Sequence, residues 1–187
     1  MIYHLLFSCY NFLCMNNISF WIIQFIDVLA FIILVASYYR KNTNKILAFH
    51  VLASFLFCLH YFLLGAYTGV LICFYELVRD TLYLKTDKDN YIFLCSIPIC
   101  IFGTALMYRE LIDILPCISS IVDGYTLTKH KKIVIIGAII SYGAWVIYNI
   151  SVGSYSGIFT DGILALSNLS ILLFDKGLFK GKDIRKV

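Results

Sequence analysis

Charged residues are scarce in this 187-residue sequence, where aspartate, glutamate, lysine and arginine together make up only 14%. A soluble domain has about a quarter charged residues and roughly half apolar ones. Here 61% of the residues are hydrophobic, and the mean hydropathy is +0.86. This composition excludes an ordinary soluble enzyme. The sequence therefore predicts an integral membrane protein, with the lipid bilayer as its first partner.

Motifs for catalysis, metal binding and nucleic-acid binding are also missing. There is no nucleophile elbow, no H-E-x-x-H, no phosphate-binding glycine loop and no block of basic residues interleaved with aromatic ones. Seven cysteines occur without a Cys-x-x-Cys pair or a histidine at ligand spacing, which favours small buried thiols over a disulfide framework or a metal site. We therefore expect no enzyme activity, no cofactor, no metal and no nucleic-acid partner.

The apolar residues form continuous runs rather than short alternating segments, so we expect helices rather than the strands of a barrel. A helical span needs about 20 apolar residues. Seven runs fit that length approximately, at residues 18–39, 46–66, 68–84, 91–108, 111–127, 133–150 and 155–174. The fifth is the weakest prediction, because Asp113, Pro116 and Asp123 all lie within it.

Basic residues predict the orientation of these spans, since lysine and arginine in short loops mark the cytoplasmic side. With seven spans, all of the 15 lysines and arginines except Arg109 fall on one side. The N-terminus is then outside and the C-terminus inside, with residues 176–187 as a basic cytoplasmic tail. Removing the fifth span would break this distribution. Tyrosines near the span ends, including Tyr61 and Tyr148 on the outer side, are expected to form aromatic belts.

Residues 1–17 form an N-terminal extension that requires a separate interpretation. Its apolar run from Ile2 to Met15 is too short to span a bilayer, and it lacks the basic region of a signal peptide. Met15 directly precedes the first span. We therefore hypothesise that residues 1–14 are dispensable or are not translated, with Met15 as the alternative start.

An internal repeat divides the remaining chain into two halves. Residues 60–70, HYFLLGAYTGV, match residues 148–158, YNISVGSYSGI, without a gap, and both contain the pattern G-[AS]-Y-[ST]-G between two spans. The matched turn residues are Gly65, Tyr67 and Gly69 in the first copy and Gly153, Tyr155 and Gly157 in the second.

Four spans separate the two copies, so both copies face the same way across the membrane. This predicts a parallel 3+1+3 repeat. Its parts are a first three-helix repeat at 18–84, a linker helix at 91–108 and a second three-helix repeat at 111–175.

Three segments carry a family resemblance: ASFLFCLHYFLLGAYTGV at 53–70, LPCISSI at 115–121 and SYGAWVIYNISVGSYSGIF at 141–159. They resemble the YgjV family of bacterial inner-membrane proteins over roughly residues 20–174. This resemblance implies location in a bacterial inner membrane.

The 3+1+3 organisation is more distantly similar to SWEET sugar transporters, to the PQ-loop superfamily and to nicotinamide riboside carriers. Their fold implies two three-helix bundles around a central pathway. The sequence departs from them because it has no Pro-Gln dipeptide, and its two prolines are Pro98 and Pro116.

Polar residues inside apolar spans are candidates for a binding site, because they are costly unless they face a cavity or a partner. Trp145 and Asn149 are four residues apart and share a helical face. Asp161 and Asn168 lie on the last span. An aromatic ring beside amides suits a neutral polar ligand, so these four residues are the predicted substrate contacts. Their repeat mates are Phe57, Tyr61, Cys73 and Asp80.

Glu76 and Arg79 are three residues apart on the third span and share one helical face. We interpret them as an inner gate, with a structural ion pair as the alternative.

These observations predict a transporter that moves a small neutral polar metabolite, sugar-like or vitamin-like, by alternating access between two three-helix bundles. The alternative is a membrane receptor or scaffold that binds without transport. A further hypothesis is a proton route through Asp27 and His60. The substrate remains unidentified, and a homodimer remains open.

Overall fold

The computed structural model describes residues 17–38, 43–86, 89–126 and 131–174. These segments are helical, as the continuous apolar runs predict. The helices are α1 (Asn17–Tyr38), α2 (Thr43–Leu64), α3 (Tyr67–Lys85), α4 (Asp89–Met107), α5 (Ile114–Thr126), α6 (Lys131–Val152) and α7 (Tyr155–Phe174). The hypothesis about residues 1–14 and the basic tail at 176–187 both lie outside the described residues.

Four of the described helices are long and apolar enough to cross a membrane by length and composition: Ser19–Ser37, Leu47–Leu64, Lys132–Val152 and Tyr155–Phe174. They belong to α1, α2, α6 and α7. A shorter apolar stretch, Tyr91–Met107, lies in α4. The other two helices do not meet these criteria for different reasons. The α3 helix contains the charged residues Glu76, Arg79 and Asp80, and α5 has only 13 residues.

The predicted fifth span begins later than the sequence suggests. Leu111–Asp113 forms a short 3-10 helix, and α5 starts at Ile114. The Asp113 carboxylate accepts hydrogen bonds from the backbone N–H groups of Arg109 and Glu110, at 3.0 and 3.1 Å. Asp113 is therefore a capping residue, which explains a carboxylate in this apolar run.

The helices pack in two groups with the same internal order. In the first, α2 packs against both α1 and α3, and in the second, α6 packs against both α5 and α7. Between the groups, α1 contacts α7 and α3 contacts α5, while α4 packs against α3 and α5.

Two tight turns with the same backbone geometry follow α2 and α6. Gly65 and Gly153 have φ angles of 72° and 74°, in the left-handed region that favours glycine. The N–H of Ala66 donates to the Tyr61 carbonyl, and the N–H of Ser154 donates to the Asn149 carbonyl, both at 3.0 Å. These bonds close each helix end and allow the chain to reverse within two residues.

Tyr61 and Tyr148 do not belong to an aromatic belt, contrary to the sequence-based expectation. Only 3% and 1% of their surfaces are exposed, and both lie in the hydrophobic core with Ile72, Cys100 and Cys117. Tyr67 and Tyr155, which begin α3 and α7, are about half exposed. Tyrosines near the same helix ends can therefore lie in the core or on the surface, depending on the helix face that each one occupies.

Candidate ligand cavity

A small polar cavity lies between the two helix groups and has a volume of about 90 Å³. A buried water needs about 10–15 Å³ measured in this way, so the cavity has room for roughly half a dozen waters. Its wall contains residues of α1, α2, α3, α5, α6 and α7. The lining residues are Leu34, His50, Ala53, Ser54, Phe57, Tyr61, Cys73, Glu76, Arg79, Asp80, Asp123, Ser141, Tyr142, Trp145 and Asp161.

Aromatic rings from both halves of the chain form one side of this cavity. The rings of Trp145 and Tyr61 stack, with centroids 5.3 Å apart and an interplanar angle of 20°. Tyr148 packs edge-on against Trp145 at 5.7 Å, and its hydroxyl accepts a hydrogen bond from the N–H of Gly69 at 2.9 Å. The predicted aromatic platform is therefore a pair of stacked rings that joins α2 to α6.

A chain of hydrogen bonds holds Asp161 at the cavity wall. The Tyr61 hydroxyl donates to Oδ1 of Asn149 at 2.8 Å, and Nδ2 of Asn149 donates to Oδ2 of Asp161, also at 2.8 Å. Asn149 is fully buried and is not among the lining residues. It therefore positions the Asp161 carboxylate, whereas Trp145 and Asp161 themselves reach the cavity.

Four carboxylates line the cavity, and one of them has a guanidinium partner. Nε of Arg79 donates to Oδ1 of Asp80 at 3.0 Å, and Nη1 of Arg79 donates to the Ser120 carbonyl at 3.3 Å. Arg79 therefore forms its ion pair with the adjacent Asp80, rather than with Glu76 as the helical spacing suggests. Together with Asp80, the residues Glu76, Asp123 and Asp161 form what we call the acidic wall of the cavity.

Beside the acidic wall, α2 contributes a histidine nitrogen that has no hydrogen-bond partner among the described protein groups. Nε2 of His50 is buried and has no hydrogen-bond partner, although His50 lines the cavity. Among the described residues, no three of the histidines, cysteines, aspartates and glutamates are grouped so that they could hold a metal ion. The carboxylates are thus spread around the cavity rather than gathered at one point.

Asn168 lies apart from the other predicted substrate contacts. Its Nδ2 donates to the carbonyl of Leu164 within α7 at 2.9 Å, and it is not among the residues that line the cavity. Asn168 comes two turns after Asp161, so it lies on the same face of α7 but about 10 Å farther along the helix axis.

Asp27 and His60 meet in a second polar cluster beside the cavity wall, where the His60 ring packs edge-on against Tyr61 with centroids 5.1 Å apart. Nδ1 of His60 donates to the Ile23 carbonyl at 2.9 Å, because a carbonyl can only accept. Nε2 of His60 lies 2.8 Å from the Ser154 hydroxyl and 4.0 Å from the Asp27 carboxylate. Thr160 also contacts Asp27. These contacts connect α1, α2 and α7.

The predicted substrate contacts and gate did not include several residues of the cavity wall, among them Tyr61, His50 and Asp123. The repeat offers a signal for some of the wall. The repeat mates of the four predicted substrate contacts, Phe57, Tyr61, Cys73 and Asp80, all line the same cavity. The sequence therefore contained a signal for these positions, although it did not assign them a role.

Comparisons with known proteins extend over most of the chain. The Imp-YgjV family, described as "Bacterial inner membrane protein", matches residues 21–174. The Inner membrane protein YgjV of Escherichia coli (strain K12) is 25% identical over 173 residues, which cover 90% of this chain and 93% of that protein. No solved structure matches the chain.

Proposed function

The chain belongs to the Imp-YgjV family of bacterial inner membrane proteins, and on this premise we propose that it is a carrier of a small polar metabolite. The solute would bind in the central cavity and cross the membrane by alternating access between two three-helix bundles. One bundle consists of α1, α2 and α3 and the other of α5, α6 and α7, with α4 as the linker. The proposed topology has seven spans, the N-terminus outside and the C-terminus in the cytoplasm.

One observation carries this proposal: the cavity wall is built from matched positions of the two repeats. Eight of the lining residues form four pairs at the repeat offset of 88 residues. The pairs are Ala53 with Ser141, Ser54 with Tyr142, Phe57 with Trp145 and Cys73 with Asp161. A cavity with this composition is expected on the axis between the halves of a parallel repeat, where such carriers bind their solutes.

The hydrogen bond between Tyr61 and Asn149 supports the same axis. These residues are themselves repeat mates, 88 positions apart, and their side chains touch at 2.8 Å. In a two-fold arrangement, equivalent positions can meet only near the axis. The helix contacts agree, because exchanging the two halves converts the α1–α7 contact into the α5–α3 contact.

A purified carrier reconstituted into liposomes tests this proposal. Thermal shift against sugars, nucleosides, vitamins and amino acids identifies the solute, because a ligand that binds the native state raises its stability. We expect the solute that binds to exchange across the liposome membrane, and we expect this exchange to be lost in Trp145→Ala.

Ser170→Ala is the matched control. Ser170 is exposed on α7, and its hydroxyl donates to the Leu166 carbonyl of its own helix, so exchange should persist. Binding without exchange in the unmodified protein would contradict the carrier and support a receptor. Retention of binding and exchange by Trp145→Ala would exclude this cavity as the pathway.

A further inference from the structure

We propose that the cavity binds a small organic cation, such as a protonated amine or a guanidinium group, rather than a neutral solute. This inference rests on the proposed function only in using the same cavity as the ligand site. It follows from the charges on the wall, from the aromatic pair and from the polar groups that remain without partners.

Carboxyl groups outnumber cationic side chains among the described residues of the wall. Glu76, Asp80, Asp123 and Asp161 face one cavity, and Arg79 is the permanent cation among the residues that line it. Asp80 already takes the guanidinium of Arg79 at 3.0 Å. Glu76, Asp123 and Asp161 are half-buried at this wall, and a carboxylate removed from water is costly in its charged form unless it is paired with a cation. A ligand with a positive charge would stabilise the charged form of these three groups, whereas a neutral ligand would not.

The aromatic side of the cavity suits the same ligand class. Trp145 and Tyr61 line the cavity together with Asp161, and indole and phenol rings attract cations through their π-electrons, most strongly when water is excluded. An organic cation can contact both the rings and the carboxylate, because it is less tightly hydrated than a metal ion. Aromatic residues beside carboxylates are thus a consistent environment for an alkylammonium or guanidinium group.

His50 offers a ligand a polar atom at the same wall. Its Nε2 is buried there without a partner among the described protein groups, and it can accept a hydrogen bond in the tautomer that carries the proton on Nδ1. An N–H group of an ammonium or guanidinium ligand could donate to this nitrogen. The ligand would then hydrogen-bond to a side chain that has no partner among the described protein groups.

The amides that suggested a neutral ligand are already engaged. The Asn149 side chain accepts from Tyr61 and donates to Asp161, and Asn168 donates to its own helix. Neither is among the cavity-lining residues. The polar groups that a ligand meets are therefore four carboxyl groups, the Arg79 guanidinium, the His50 imidazole and hydroxyls such as those of Ser54 and Ser141, beside the aromatic rings.

Matched pairs of probes with the same shape and different charge test the inference. Guanidinium is compared with urea, and ethanolammonium with ethylene glycol, at millimolar concentrations and constant ionic strength. Binding to the full chain in detergent is followed by the fluorescence of Trp145 in the Trp21→Phe background, since the sequence has two tryptophans and Trp21 is exposed on the surface. Sodium chloride and potassium chloride are titrated in the same way, to test whether simple metal ions produce the same signal.

We expect at least one cation to bind about tenfold more tightly than its neutral partner, and Asp161→Asn and Glu76→Gln each to weaken that cation by about tenfold. Glu110→Gln is the charge-matched control. Glu110 caps the 3-10 helix and is not a cavity residue, and glutamine retains an oxygen that accepts the same bond. Circular dichroism and gel filtration verify that each variant is folded.

Equal binding within each pair, absence of cation binding, or a signal that sodium or potassium reproduces would overturn the inference. The result is distinct from that of the carrier proposal. A bound cation that does not cross the liposome membrane supports this inference and contradicts the carrier proposal. Exchange of a neutral solute without any binding of a cation supports the carrier proposal and contradicts this inference.

Discussion

At the scale of single residues, the position of the Asp161 carboxylate depends on how closely α7 approaches α6. Gly157 is the residue that permits this approach. A Cβ atom at Gly157 would lie 2.5 Å from Nδ2 of Asn149 and 2.6 Å from the Ser154 hydroxyl. The amide that would be displaced is the one that holds Asp161. Gly157, one helical turn before Asp161, thus controls the position of the Asp161 carboxylate at the cavity wall.

We therefore predict that Gly157→Ala lowers the free energy of unfolding by about 1–3 kcal/mol, because it overpacks a close contact. The same change should weaken ligand binding, since it displaces Asn149. Thermal unfolding in detergent and fluorescence titration measure the two effects. Gly162→Ala, on the same helix, introduces a Cβ with no atom within 4 Å and should leave binding unchanged. Equal effects of both variants would show that the α6–α7 contact does not control the site.

Much of the candidate site could be predicted at this scale, because polar residues in apolar runs are conspicuous. Trp145, Asp161, Glu76 and Arg79 all line one cavity. Their partners were less predictable. Adjacent helical residues do not share a face, yet the long Arg79 side chain turns to Asp80.

At the scale of elements, the turns after α2 and α6 fix the reversal of each helix pair. Sequence reasoning located the seven helices of the described segments, since a continuous apolar run and a glycine turn each leave a local signal. The α5 boundary was less accurate, because the capping bonds of Asp113 are made by backbone groups that a sequence does not display. Tyr61 and Tyr148 were misplaced for a similar reason: distance from a helix end does not determine the face.

The same turns give a prediction about stability. Gly65→Ala and Gly153→Ala should each cost about 1 kcal/mol, because an alanine in the left-handed region is strained. At Gly65 the added Cβ would meet no atom within 4 Å, so the cost there is conformational alone.

Gly143→Ala is the control for these two variants. Gly143 lies inside α6 with a negative φ, and a Cβ added to it would have no atom within 4 Å. Alanine is the better helix former, so this variant should be neutral or stabilising. Chemical denaturation of the three variants measures the difference, and destabilisation of Gly143→Ala to the same extent would contradict the conformational explanation.

At the scale of the whole molecule, the contact of α1 with α7 connects the two proposed bundles. Oε1 of Gln24 accepts hydrogen bonds from the N–H and the hydroxyl of Ser156, at 2.9 and 2.7 Å. The neighbouring contacts of His60 and Asp27 join the same helices. If the bundles rock against each other, this interface must change during each transport cycle.

We predict that joining the bundles here stops transport. Gln24→Cys and Ser156→Cys, combined in a chain whose native cysteines are replaced, would be bridged by a short thiol-specific cross-linker whose own disulfide can be reduced. Solute exchange in liposomes should fall on cross-linking and return on reduction. The single-cysteine variants, treated in the same way, should keep their exchange. Full exchange in the bridged protein would contradict rocking at this interface.

The bond between Tyr61 and Asn149 also bears on the ancestry of the molecule. In a dimer of identical half-length chains, equivalent positions facing each other would hold the same residue twice. A tyrosine donating to an asparagine at such a place requires two halves of different sequence, which the proposed repeat would supply within one chain. On that proposal, the second half alone provides the asparagine that holds Asp161, so the first half could not take its place.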